Sequence, residues 1–317
     1  MKVFLAGATG VLGRPTARTL VEAGHEVRGT ARGEEKSQLL RSLGAEPVSL
    51  DLFDADAVKA AVAGSEAVLH FATKIPSLTR MRWKRAWGEN DRLRTDATRN
   101  LVDAAISTGA STFVYESITF IYGEHGDEWV GEDDSISIGW ASLRSTIDAE
   151  RQTKRFTESG GRGVSLRYAA FYAPYAQSTL DTVRLARRRM LPVPGEGLNF
   201  VSSIHVDDAA TAAVAALKAP AGVYNVTDDE PLRMRDYAEA ITDAFGMKPP
   251  RHVPEWLFRL VGGGPAKYIL SSQRICNIRF KEKTGWSPQY RSAREGWQQI
   301  AAELAERPSV KQEGPAG

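Results

Sequence analysis

A single cysteine, five histidines and almost no surplus charge set the first limits on this 317-residue chain. Cys276 alone excludes an intramolecular disulfide and a cysteine zinc cluster. His25, His70, His125, His205 and His252 are scattered without metal-ligand spacing. The 41 basic and 39 acidic residues leave a net charge of +2, which argues against a nucleic-acid or membrane partner. No apolar run approaches the roughly 20 residues of a transmembrane helix. Met1-Lys2-Val3-Phe4-Leu5 leads straight into a glycine-rich turn, leaving no room for a signal peptide, so a cytoplasmic protein is expected. A Gly-x-Ser-x-Gly nucleophile elbow and a P-loop lysine are both missing.

What is present alternates short apolar strands with amphipathic helices. Strands are expected at Lys2 to Ala6, Glu26 to Thr30, Pro47 to Leu50, Ala67 to Phe71, Thr112 to Glu116 and Gly163 to Tyr168. Helices are expected between them, at Gly13 to Ala23, Lys36 to Leu43, Ala55 to Val62, Glu89 to Thr108 and Ser145 to Ser159. Strands separated by helices imply parallel βαβ units, and almost wholly apolar strands imply a sheet covered on both faces. The fold class is therefore α/β, a doubly wound parallel Rossmann sheet over residues 1–172. Residues 199–218 are expected to return to it as a strand near Phe200 to His205 and a helix from Asp207 to Leu217. Proline-punctuated segments make 173–307 mainly a smaller C-terminal α/β substrate lobe, and 308–317 read as a disordered tail. Arg187-Arg188-Arg189 reads as a solvated helix face.

Gly7-Ala8-Thr9-Gly10-Val11-Leu12-Gly13 follows the first strand and opens the first helix. Such a turn permits close backbone approach, and the helix N-terminus offers free N–H groups to a pyrophosphate. Gly7, Thr9, Gly10, Val11, Leu12 and Gly13 are accordingly assigned to a dinucleotide. The second strand ends without an acid and is followed by Arg32, which suits the 2′-phosphate, so NADP(H) is favoured over NAD(H). Asp51-Leu52 either flank the adenine or, for Asp51, cap the helix after Asp54.

These motifs are joined by His70-Phe71-Ala72-Thr73, Asn90, Thr98-Arg99-Asn100-Leu101, Tyr122-Gly123, Arg167-Tyr168, Tyr172-Ala173-Pro174, Ile204-His205-Val206-Asp207-Asp208-Ala209 and Gly222-Val223-Tyr224-Asn225-Val226. With them the chain resembles an extended short-chain dehydrogenase/reductase, the NAD-dependent epimerase/dehydratase family, from Lys2 to about Ile300. The resemblance implies that Phe71, Ala72 and Thr73 line the cofactor and that Asp207 caps a helix. It also implies a catalytic Tyr-x-x-x-Lys pair, yet none of the nine tyrosines has lysine four residues on. Aligned on Ala149-Glu150, the Tyr position is Ser142 and the Lys position Thr146. Counted back from Tyr122-Gly123, the usual Ser position is Ile118.

Replacement proton donors are sought in Tyr168, Lys74, Ser117 and Thr119, with Tyr172 near the nicotinamide end. The expected function is NADP(H)-dependent oxidoreduction of a small, hydrophobic or aromatic molecule; acceptors such as activated double bonds need a placed hydride more than a phenol. Two alternatives stay open: a non-catalytic NAD(P)-binding sensor, and an epimerase, dehydratase or isomerase with bound dinucleotide. Met81, Trp83 and Trp87 lie among Arg80, Arg82, Lys84 and Arg85, with Trp129 and Trp140 on the same sheet edge. This segment serves either a substrate or a lobe or subunit contact, which leaves a homodimer open.

Overall fold

Apolar strands that need cover on both faces assemble into one parallel sheet. The computed structural model describes residues 1–77, 80–81, 83–138 and 143–306, apart from the side chains of 261–265 and 268. Arg82, Trp140, Ser142 and the tail at 308–317 thus lie outside the described residues. The central strands are β1 (Lys2–Ala6), β2 (Glu26–Thr30), β3 (Glu46–Val48), β4 (Ala67–His70), β5 (Thr112–Ile118), β6 (Arg162–Tyr168) and β7 (Gly222–Val226). They lie in the order β7-β6-β5-β4-β1-β2-β3, every neighbour parallel. The order reverses between β1 and β4, so a crevice opens at the carboxyl edge there.

Helices α1 (Gly13–Glu22), α2 (Glu34–Ser42), α3 (Ala55–Val62), α4 (Gly88–Arg92), α5 (Thr98–Thr108), α6 (Arg144–Glu158), α7 (Gln177–Arg187) and α8 (Val206–Ala216) follow in chain order. Side chains alternate along β1: Val3 and Leu5 pack with Leu20, Ala209 and Ala213 on one face. Phe4 packs with Val62, Leu101, Phe113 and Phe156 on the other. Each of the buried valines, leucines and phenylalanines contributes roughly 1.5–3 kcal/mol.

The C-terminal lobe adds α9 (Met234–Ala244), α10 (Glu255–Leu270), α11 (Ile278–Thr284) and α12 (Ala293–Glu306). Tyr172, Val183, Leu232, Ile241 and Trp297 share its core, where Tyr172 stacks on Trp297 with ring centroids 5.3 Å apart. Gly296 makes that stack fit, since a Cβ there would lie 2.0 Å from the Tyr172 hydroxyl. The arginines at 187–189 are largely exposed, as a solvated face requires.

Four expectations change. Gly222–Val226 is not the start of the lobe but the edge strand of the main sheet, because helix α8 returns the chain to pair beside β6. The strand near Phe200 to His205 splits in two: Phe200–Val201 pairs antiparallel with Leu232–Arg233, and Ser203–His205 parallel with Ala170–Tyr172. Helix α8 is capped by His205, whose Nδ1 accepts from the Asp207 N–H at 3.3 Å, rather than by Asp207. The helix expected over Glu89 to Thr108 is broken by a π turn at Leu93–Ala97. Such turns mark strained, often functional places.

A buried polar knot ties β5, α6, β6 and β7 together. Arg167 donates to Glu150 through Nε and Nη2, both at 2.8 Å, and to the Tyr122 hydroxyl at 2.8 Å. Ser117 donates to Glu150 at 2.5 Å and Tyr122 to Asn225 at 2.7 Å. Removing one charge strands the other. Arg167→Leu should therefore destabilise the protein by about 3–5 kcal/mol in urea unfolding; an unchanged midpoint would show that the knot carries no stability.

Candidate dinucleotide site

The glycine turn is built by close contact. Gly7 adopts φ +85°, and a Cβ there would fall 2.4 Å from the Phe71 carbonyl oxygen and 2.5 Å from the Ala72 nitrogen. A Cβ on Gly13 would fall 2.0 Å from the Gly7 oxygen. Only glycine permits both. Gly7 N–H also donates to Thr30 Oγ1 at 2.8 Å, pinning the turn to the end of β2. Beyond the turn, the N–H groups of Val11 and Leu12 meet no acceptor among the described residues. Helix α1 has neither a side-chain cap nor an acid in its first turn. Uncapped donors at a helix N-terminus suit a pyrophosphate, so the residues present fit a dinucleotide.

The flanking residues sort clearly. Arg32 is exposed just after β2 and makes no ion pair among the described residues. Asp51 accepts from Phe53 N–H at 3.0 Å, whereas Asp54 caps α3 through Ala57 N–H at 3.1 Å. Capping by Asp51 is thereby corrected. Leu52 is buried and its carbonyl accepts from Asn100 at 3.1 Å. Phe71, Ala72 and Thr73 leave β4 directly against the turn, while Thr9 and Gly10 sit at its tip.

Three of the four proton-donor candidates are held elsewhere. Tyr168 is buried and donates to the Ala209 carbonyl at 3.0 Å, in the core beneath α8. Lys74 is exposed and paired with Glu89 at 2.6 Å. Ser117 belongs to the Arg167 knot. Thr119 is buried in the short 3₁₀ turn after β5. Tyr172, in the lobe core, stacks on Trp297. Of the aromatic segment, Trp87 is buried and donates to the Met81 carbonyl at 2.9 Å, while Trp83 is exposed. Trp129 is exposed with the Arg274 guanidinium 4.1 Å above its ring.

The structure instead gathers a group of which the sequence motifs include only His70 and Asn90. His70, Asn90, Arg94 and Tyr115 are each at most 2% exposed, and His70 Nδ1, Asn90 Nδ2, Arg94 Nε and the Tyr115 hydroxyl have no hydrogen-bond partner among the described residues. His70 Nε2 lies 3.0 Å from the Leu93 carbonyl, and its ring centroid lies 5.9 Å from that of Tyr115. Asn90 accepts from Lys74 N–H at 3.1 Å. Arg94 donates to Thr146 Oγ1 at 2.7 Å and makes no ion pair among the described residues. Nearby on β5, Glu116 is buried and its side chain bonds to no described residue. Burial lowers His70 to about 4 and raises Glu116 to about 8, the latter against the pull of Arg94. Both are therefore mainly neutral at pH 7. Glu116 and Arg94 carried a signal: one interrupts an apolar strand, and the other falls on the buried stripe with Thr98, Leu101 and Ala105.

The sequence model of the NAD dependent epimerase/dehydratase family matches residues 3–227, over the sheet and its glycine turn. The chain belongs to this family. A 3-diazoavenalumate denitrifying reductase from Streptomyces sp is 34% identical over 309 residues, covering 93% of this chain and 99% of that protein. A 2-alkyl-3-oxoalkanoate reductase from Stenotrophomonas maltophilia is 28% identical over 264 residues, covering 78% and 76%. The fold matches UDP-glucose 4-epimerase of Thermotoga maritima with a TM-score of 0.79 at 19% identity, over 96% of this chain and 98% of that one. This member of the epimerase/dehydratase family is thus an NAD(P)-dependent oxidoreductase of the short-chain type. Among its described residues, no helix is long and apolar enough to cross a membrane.

Two outcomes test the site. A Cβ on Gly10 would meet only the Gly7 oxygen, at 3.2 Å. Gly10→Val should thus keep the fold but abolish dinucleotide binding by calorimetry; unchanged binding would remove the turn from the site. Glu116 supplies the second. Its carboxyl holds a proton in the folded state between about 4.5, the unfolded value, and about 8, so raising pH through that window costs stability. Glu116→Gln should flatten that part of the stability profile relative to the parent, as read by urea unfolding at stepped pH. Parallel profiles would mean that Glu116 is already ionised.

Proposed function

We propose that the protein reduces a small aromatic, electron-poor molecule with NADPH, by hydride delivery that needs no proton from a side chain. The observation that carries this reading is the fate of the candidate donors: Tyr168, Lys74 and Ser117 are each committed to a structural partner. A diazo-bearing arene is the concrete substrate class that the Streptomyces relative suggests. The chemistry a bound reduced nicotinamide supplies is a hydride, and Ar–N₂⁺ + H⁻ → Ar–H + N₂ balances with no proton consumed. The chain's own residues hold and orient. Gly7, Gly10 and Gly13 admit the pyrophosphate to the N–H groups of Val11 and Leu12. Arg32 takes the 2′-phosphate, Asp51 and Leu52 flank the adenine, and Phe71, Ala72 and Thr73 border the nicotinamide half. Trp83 and the Trp129–Arg274 pair offer flat apolar surface for an arene.

The reading is tested by incubating the protein with an arenediazonium salt and NADPH deuterated at C4, against a protein-free control. One deuterium should appear at the ring carbon that lost dinitrogen. Ring hydrogen drawn from water, or turnover no faster than the control, would overturn it. For cofactor choice, a charge-assisted contact is worth roughly 1.5–3 kcal/mol, or about one to two decades. Arg32→Ala should weaken NADPH by that factor and leave NADH nearly unchanged in calorimetry. Equal losses would take Arg32 out of the site.

A further inference from the structure

Arg94 is a buried cation without a carboxylate. It is 2% exposed, it makes no ion pair among the described residues, and its side chain donates to a neutral hydroxyl, Thr146 Oγ1. Burying a guanidinium this way is costly unless something completes its donors. The surroundings do not. His70 and Glu116 are mainly neutral near pH 7, and Asn90 and Tyr115 present orphaned polar atoms of their own. Four neighbouring polar side chains whose donors or acceptors go unmatched among the described residues call for a further polar partner.

Where they gather is fixed by three anchors. The Leu93 carbonyl, one residue before Arg94, is bound to His70 at the end of β4, directly before the Phe71–Thr73 segment that packs on the glycine turn. Thr146 lies in the first turn of α6, at the position where the family's lysine is expected. The Ser145 hydroxyl donates to Asp91 at 3.0 Å, clamping α4 to the start of α6. The π turn Leu93–Ala97 sits between these clamps and sets the direction of Arg94.

We propose that Arg94 replaces the missing lysine from a different helix, donating to the hydroxyls of the nicotinamide ribose and so fixing the nicotinamide half of the dinucleotide. A guanidinium brings five donors in a planar fork, so one edge can hold Thr146 while the rest serve a vicinal diol. Thr146, too short to reach a ribose as lysine would, keeps the fork aligned. The assignment rests on dinucleotide binding and does not depend on which molecule accepts the hydride.

The test separates the halves of the cofactor by calorimetry. NADPH contains the nicotinamide ribose; adenosine 2′,5′-bisphosphate contains only the adenine end. Arg94→Gln should weaken NADPH by about tenfold or more and leave the bisphosphate within about twofold, and Arg94→Lys should recover part of the loss. Retained bisphosphate binding also shows that the variant is folded. Equal weakening of both ligands would make Arg94 a support of the fold, and unchanged NADPH affinity would remove it from the site; either overturns the assignment. A parent protein that binds NADPH and fails to reduce a diazonium salt, with the Arg94 pattern intact, would sink only the reaction proposed above. A parent that binds no dinucleotide would sink both.

Discussion

Everything at the carboxyl edge depends on the backbone of Gly7 lying against the backbone of Phe71 and Ala72. A Cβ on Gly7 would lie 2.4 Å from the Phe71 oxygen, so the contact has no room for a side chain. It brings the turn after β1 and the exit from β4 together where the strand order reverses. The uncapped start of α1 is thereby aimed across the crevice, and the segment after His70 becomes its far wall. From that wall, the hydrogen bond between His70 and the Leu93 carbonyl carries the geometry onward to Arg94. One steric constraint thus orders the proposed pyrophosphate end and, through the contact of His70 with Leu93, the proposed nicotinamide end.

The electrostatics of the far end set one buried guanidinium among groups that burial keeps protonated or neutral. Burial keeps His70 and Glu116 mainly neutral near pH 7 beside the Arg94 guanidinium. Tyr115, pushed above its ordinary range by burial, holds its proton as well. These groups can bind and align, but among them only Glu116 titrates near neutrality.

Local patterns were legible and long-range ones were not. The glycine turn, strands β1 and β2 and helix α3 could be read because spacing and periodicity are local properties. The absence of Tyr-x-x-x-Lys was equally plain. The proposed replacement was hidden, because Arg94 and Thr146 are 52 positions apart and meet only after α4, the π turn and α6 fold together. The π turn has no composition of its own, and Gly222–Val226 looked like lobe because its pairing with β6 is set by α8. The partners of Tyr168 and Lys74 were hidden for the same reason: residue type suggested a donor, and the Ala209 carbonyl and Glu89 meet them only in the fold.

Hydride transfer without a side-chain proton has a kinetic signature of its own. It is read in single-turnover oxidation of NADPH by an arenediazonium salt on the protein, in H₂O and in D₂O, with NADPH protonated or deuterated at C4. A primary isotope effect from the C4 label is expected, with equal rates in the two solvents. A rate that falls about twofold or more in D₂O, with the C4 effect diminished, would place a proton in the transition state and contradict the proposed chemistry.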